Sequence, residues 1–280
     1  MTERPPASGT PRTKQRLLMC SPAGFAVNYE INPWMTGQVG RVSRSLAAEQ
    51  WLGLREQLAI LAETEVMPAD PDWPDLVFTA NAGLPIPDEK IFVLASFRFP
   101  QRQGETAITR RWFEARGWRC VELEGGVYFE GAGDALLDAN GRLFVADGPR
   151  TERAAADHLA RWFKGPVHSL RLVDPHYYHL DTCFCPLARG YALYLPGAFD
   201  AASIELLHRC FGERLIGLTP EEGRLFCANA VNVDDAIVMN APTPRLVRLL
   251  GECGFRPTAT PLSEFMKSGG SAKCLTLRIA

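Results

Sequence analysis

Five amphipathic segments recur along the chain at intervals of about 50 residues, each flanked by short apolar runs, and this periodicity restricts the fold more than any other feature of the sequence. The first runs from Ser43 to about Glu63 and carries Leu46, Trp51, Leu54, Leu58 and Leu61 close to one stripe, the pattern of a helix with one buried face. Further helices are predicted over Glu105–Ala115, Thr151–Phe163, Ala201–Phe211 and Thr243–Gly254, the last closed by a glycine in C-cap position. The runs Leu17–Cys20, Ile91–Leu94, Leu143–Val145, Tyr191–Leu195, Ala236–Met239 and Cys274–Leu277 read as buried strands. A unit of two or three short strands and one helix, repeated about five times around a central axis, accounts for this order. The repeats resemble one another only weakly in sequence, and a conventional α/β sheet is the alternative. No Pro/Ser-rich linker divides residues 17–280, which are read as a single domain. Residues 1–16, rich in Pro, Thr and charge, are expected to form a disordered N-terminal tail.

Composition narrows the function classes. Thirty Lys and Arg against 32 Asp and Glu leave a net charge of −2, so no global field draws the protein to nucleic acid or to an anionic membrane. A small-molecule partner is the better default, and a homo-oligomer is compatible with the composition. No apolar run approaches the ~20 residues of a membrane span, and the opening Met1–Pro6 lacks a secretory apolar core, so a cytoplasmic protein is expected. Eight cysteines are scattered rather than concentrated, which suits reduced thiols better than a disulfide framework. The nucleotide-binding Gly-x-Gly-x-x-Gly and P-loop patterns do not occur. The Gly-rich piece Glu130–Asp134 is no phosphate loop, because its two carboxylates would repel the phosphate.

Four segments carry groups capable of chemistry. His176–Phe184 alternates as a strand would, which would aim His179, Asp181, Cys183 and Cys185 from one face at steps of about 6.6 Å. In isolation such a histidine is ordinarily satisfied by its neighbouring carboxylate. A zinc site on His176, His179, Cys183 and Cys185 is disfavoured, since one extended strand cannot wrap a tetrahedral ion; no metal is expected. Glu130 stands where the apolar run Val127–Phe129 meets a tight loop, and Asn81 stands at the end of the apolar run that starts at Asp75; both runs read as strands. Each alone would be a turn-forming residue bonding its own backbone. Together with an aspartate beside a histidine they are able to cage a planar cation. Cys274 follows the flexible Gly269-Gly270 loop and Lys273, at a junction with a buried strand, where backbone N–H groups favour a thiolate; elsewhere a cytosolic cysteine is simply a small apolar residue.

Phe78-Thr79-Ala80-Asn81, Phe129–Asp134, His179-Leu180-Asp181-Thr182 and Gly269–Cys274 resemble, in order and spacing, the guanidine-modifying (pentein) superfamily of arginine deiminases, dimethylarginine dimethylaminohydrolases, arginine dihydrolases and amidinotransferases. The resemblance covers the chain from about Leu17 onward. It implies an α/β fold, a five-bladed ββαβ propeller, and a catalytic domain that needs no cofactor and acts on a small guanidino substrate. It further implies Cys274 as nucleophile, His179 as general acid/base, and Glu130 and Asp181 as the carboxylates that grip the guanidinium. Deiminases and dimethylaminohydrolases usually carry an acidic residue where this chain has Asn81, whereas arginine dihydrolases are similar in having an asparagine there. Asn32, Phe78 and Arg102 resemble substrate contacts, Arg102 toward a substrate carboxylate. The implied chemistry is attack on the guanidino carbon to give a covalent thiouronium and, in a dihydrolase, two hydrolytic rounds to ornithine, carbon dioxide and ammonia. A ribosome anti-association factor shares the propeller without doing chemistry, but has no need of a Cys/His/carboxylate set.

Overall fold

Two antiparallel strands, a crossover helix and a third strand parallel to the second form the unit from which the chain is built, and the computed structural model describes it over residues 14–280. The predicted tail lies outside the described residues over 1–13, and the first strand begins at Arg16. Among the described residues the strands form five sheets of three. In the second sheet Gly83–Ile86 pairs antiparallel with Ile91–Leu94, which runs parallel to Arg119–Val121 after the helix Glu105–Glu114. The same order recurs with the helices Ala154–Leu159, Ala201–Phe211 and Pro244–Glu252. A parallel return needs a crossover, and a helix supplies it while covering the sheet.

The first sheet borrows a strand from the far end of the chain. Arg16–Cys20 runs parallel to Glu63–Met67 after the helix Arg44–Leu61, and its antiparallel partner is Leu277–Arg278, with Leu17 opposite Arg278. Ile279 N donates to Arg16 O at 2.8 Å and Arg16 N to Ala280 O at 3.0 Å, so the ring of five units closes by pairing its two ends. The helices start where their caps dictate. Ser43 Oγ accepts from Leu46 N, Asp200 from Ser203 N, and Thr243 from Leu246 N ahead of Pro244. Gly254, just past the last of these, takes φ +77°. No helix among the described residues is long and apolar enough to cross a membrane.

Several predicted elements differ. The helix expected over Thr151–Phe163 shortens to Ala154–Leu159, because Thr151 and Glu152 are spent bonding to Asp134 and Tyr128. Leu46, placed on the buried stripe, is exposed on the first turn, and Ala47 is buried instead. The run from Asp75 to Asn81 is two 3-10 turns, Pro74–Val77 and Thr79–Ala82, not a strand, and Val127–Phe129 makes only a single bridge to Ser96. A run buried on all sides loses the alternation that tells a strand from a turn. His176–Phe184 is likewise no strand: Asp134 Oδ1 accepts Leu180 N at 2.9 Å and Thr182 Oγ1 bonds His179 O at 2.6 Å, bending the chain through a 3-10 turn at Leu180–Thr182. That turn sends the side chains of Cys183 and Cys185 into the apolar core, off the cavity that His179 lines. Cys274 stands in a turn as well, and the last strand begins only at Leu277.

These turns share one position in the repeat. Thr79–Ala82, Gly131–Gly133 and Leu180–Thr182 each immediately precede the first strand of a hairpin, and the bends before Val231 and Leu277 carry Asn229 and Cys274. Outside them lies the apolar packing of helix on sheet. Phe113 is fully buried, stacks on Phe92 at 3.6 Å between ring centres, and meets Trp112 and Trp118 edge-on. Phe113→Ala should cost about 3–5 kcal/mol of unfolding free energy, read as a lower denaturant midpoint at unchanged slope.

Candidate active site

The turns converge on a small cavity of about 10 Å³ lined by Asn32, Asp75, Phe78, Asn81, Arg102, Arg150, Tyr178, His179, Gly270 and Cys274 among others. That space holds about one water, so a larger molecule enters only if the wall moves. Six of the residues singled out in the sequence line it: Asn32, Phe78, Asn81, Arg102, His179 and Cys274. Glu130 and Asp181 stand directly behind, Glu130 Oε2 2.8 Å from His179 Nε2 and Asp181 Oδ2 3.4 Å from Cys274 Sγ.

Glu130 is fully buried, and its charge is met by a residue that sequence reading passed over. Arg150 Nη1 donates to Glu130 Oε2 at 2.9 Å and Nη2 to Ile31 O at 2.9 Å, while its guanidinium lies 4.6 Å from Phe99 and 4.8 Å from Tyr178. Burial pushes the Glu130 carboxyl up, but Arg150 and the bond to His179 outweigh it and hold it down at about 2. An ionised Glu130 can only accept, so His179 Nε2 carries the proton and Nδ1 is left as acceptor. Asn81 agrees with this assignment: its Oδ1 accepts from Arg102 Nη1 at 3.0 Å, which turns its Nδ2 toward His179 Nδ1 at 3.4 Å.

Arg102 was expected to face a substrate carboxylate. Four of its five N–H donors are engaged, by both carboxylate oxygens of Glu105 at 2.8 Å, by Asp75 O and by Asn81. The amide of Asn32 is also occupied, Oδ1 capping the turn Pro33–Met35 and Nδ2 donating to Ser268 O at 3.0 Å. Phe78 forms part of the apolar wall, 5.7 Å edge-on from Phe25. Asp75, another residue the sequence did not single out, is held by Tyr29 OH and Ser268 Oγ at 2.9 and 3.0 Å.

At the other end of the cavity Cys274 Sγ lies between two groups of opposite effect. Asp181 accepts from it, and Asn229 Nδ2 donates to it at 3.0 Å. Burial first, then the Asp181 charge, pushes the thiol well above its ordinary range. Burial also raises Asp181 to about 6, against the pull of Lys273, and Asp134 to about 6, against His179 and the bond from Thr151. No cluster of three or more His, Cys, Asp or Glu among the described residues is placed to hold a metal ion.

A five-unit ring of this strand order, with a thiol, an imidazole and buried carboxylates meeting at its centre, defines a protein of the guanidine-modifying, pentein class. The family model described as N,N dimethylarginine dimethylhydrolase, eukaryotic, matches residues 49–280. A dimethylarginine dimethylaminohydrolase of Mycobacterium tuberculosis is 37% identical over 98% of this chain and 88% of its own length. The bifunctional arginine dihydrolase/ornithine cyclodeaminase AgrE of Nostoc is 47% identical over 94% of this chain and 38% of its own length, so the chain spans little more than a third of that relative. The crystal structure of the N-terminal domain of ArgZ bound to product, an arginine dihydrolase of cyanobacteria, superposes with a TM-score of 0.93 at 43% identity, covering 95% of this chain and 98% of that one. The chain belongs to the dimethylarginine dimethylaminohydrolase family.

The raised carboxyl of Asp181 has a consequence for stability. A group whose folded pKa lies above its ordinary 3.8 penalises the folded state as the pH rises from about 3.8 through about 6, and the whole penalty is present at neutral pH. Asp181→Asn is therefore expected to stabilise the fold by about 1–3 kcal/mol near pH 7.5, and to lose that gain near pH 3.5. Thermal unfolding of both proteins across this range checks it.

Proposed function

We propose that the chain hydrolyses the guanidino group of free arginine in two rounds, as an arginine dihydrolase, with Cys274 as nucleophile. The observation that carries the reading is the placement of Cys274, His179 and the Asn81 amide on one cavity wall, with Asp181 and Glu130 behind. The identity to AgrE and the likeness to the arginine-bound and product-bound dihydrolase structures support it. Asp75, beside Arg102, and Arg150 place both signs of charge in the lining, the signs that an α-amino acid's ammonium and carboxylate require.

A guanidinium is delocalised and a poor electrophile, so binding must fix its carbon over the sulfur before anything else happens. In the closed cavity the thiol faces an uncompensated Asp181 and stays protonated. A cation placed against Asp181 removes that opposition, and the proton passes from the sulfur to the ring nitrogen of His179 that Glu130 does not hold. The thiolate attacks the guanidino carbon, His179 supplies a proton to the departing nitrogen through the ring nitrogen that Glu130 does not hold, and ammonia leaves a covalent thiouronium. Water, relieved of a proton by His179, adds to that carbon and expels the sulfur, giving citrulline. A second passage through the same steps consumes another water and gives ornithine, carbon dioxide and ammonia. An amide at position 81 hydrogen-bonds a cationic guanidino and a neutral ureido group alike, which a carboxylate would not. That tolerance is what the second round requires.

Cys274→Ser should abolish turnover of arginine by several orders of magnitude with little change in melting temperature. Mass analysis of products provides the further test: the unaltered protein yields ornithine and two ammonia per arginine, and Asn81→Asp shifts the product toward citrulline. Accumulation of citrulline without ornithine in the unaltered protein would replace the reading with that of a deiminase. Activity on methylated arginine alone would make it a dimethylaminohydrolase.

A further inference from the structure

We propose that Asn229 stabilises the anionic sulfur of Cys274, a role that rests on the reading of Cys274 as nucleophile and adds a residue to its machinery. Asn229 is completely buried, on the bend that precedes the strand Val231–Val233, in the same place of its unit as Asn81, Asp181 and Cys274 in theirs. Its Oδ1 accepts from the backbone N–H of Ser271 at 3.0 Å and of Cys274 at 3.1 Å. These two donors fix the amide, because turning it over would set its NH₂ against both of them. The NH₂ therefore faces Sγ at 3.0 Å, and it also donates to Asp181 O at 3.0 Å. Asn229 O in turn accepts from Lys273 N at 3.3 Å, so one side chain and its carbonyl hold the turn that presents the sulfur.

The charged and titratable groups around that sulfur are Asp181, Tyr178, Lys273 and, lining the same cavity, His179, and the backbone N–H of Ser271 favours its anion alongside Asn229. Asp181 opposes ionisation, and a neutral tyrosine does nothing to favour it. Lys273 turns its Nζ toward Ala132 O and Thr276 O at 3.5 Å rather than toward the sulfur. The Asn229 amide is the side-chain donor within hydrogen-bond distance of Sγ among the described contacts. A donor fixed in place before the charge develops, in a site closed to water, is the arrangement that stabilises an anion most. When a bound cation neutralises Asp181, this donor remains and the balance turns to the thiolate.

The test is the rate at which iodoacetamide alkylates Cys274, followed by peptide mass spectrometry near pH 8 in the full chain without substrate. Below its midpoint a thiol reacts in proportion to its ionised fraction, so a midpoint raised by about one unit slows alkylation about tenfold. Asn229→Ala is expected to show that slowing, with kcat on arginine reduced about 100-fold and KM little changed. A merely structural role moves the reading the other way, since a loosened turn exposes the sulfur and speeds alkylation. Should the alanine variant not fold, Asn229→Asp carries the test: it keeps the acceptors for Ser271 and Cys274 N–H, and a larger slowing is expected. Alkylation at or above the unaltered rate in a folded variant overturns the inference. Retained turnover in Cys274→Ser would instead defeat the functional reading, and the alkylation measurement, which needs no substrate, separates the two.

Discussion

Glu130 is a full negative charge with no access to water, and the centre of the molecule is arranged around the need to answer it. An uncompensated buried carboxylate costs several kcal/mol, and Arg150 removes that cost only by being buried itself. Arg150 then needs further partners, which it takes from Ile31 O and from the faces of Phe99 and Tyr178. Tyr178 is secured by its hydroxyl to Gly269 O, in the loop ahead of Cys274. The ionised glutamate, its charge paired with Arg150, accepts the Nε2 proton of His179 and so sets the way the imidazole presents its other nitrogen. One ion pair thus connects the third unit of the ring to the segment before the first helix and to the loop that carries the thiol.

The five units divide the labour of the site. One gives an amide at Asn81, one the carboxylates of Glu130 and Asp134, one the His179 and Asp181 pair, one the amide of Asn229 and one the thiol of Cys274. Each group sits on the turn before a hairpin, where the chain has left its ladder and side chains are not committed to a sheet face. Such turns need close backbone approach. A Cβ on Gly131, which has φ +65°, would lie 2.6 Å from Gly83 N, and the turns of neighbouring units touch there. Candidate site and ring are consequently the same construction: the turns that let the units meet are the turns that bring these side chains together.

What could be read from the sequence follows the physics of each signal. The helix Pro244–Glu252 was legible because a threonine cap, a proline at the first position and a terminal glycine each act locally. His179, Glu130, Asp181 and Asn81 stood out as polar residues set against apolar runs and Cys274 as a cysteine just past a glycine loop, and the resemblance in motif order joined them into one candidate site. Arg150 and Asn229 were not, since nothing local marks them: Arg150 follows a Gly-Pro loop as any surface arginine does, and its partner lies 20 residues away. Asn229 sits 45 residues from the sulfur it meets, in a stretch that reads as ordinary core. The turns were taken for strands where burial on every side erased the alternation, as at Asp75–Asn81. The expected carboxylate contact of Arg102 could not be judged without seeing that Glu105 stands one helical turn further on.

The pairing of Arg16–Cys20 with Leu277–Arg278 gives the ring a seam with no covalent link, held by backbone hydrogen bonds and the buried side chains of Leu18, Leu277 and Ile279. A seam of this kind has no privileged place. If Arg16 and Ala280, which meet at the seam, were joined by a short linker and the backbone opened at a hairpin tip on another unit, the same contacts would form with the units renumbered. The thiol would pass from the unit shared by both ends of the chain to an uninterrupted one without changing its neighbours. The order in which a ribosome meets these five turns is then separable from the geometry in which they meet one another, and circular permutants offer a direct handle on which unit must be in place first for the others to close upon it.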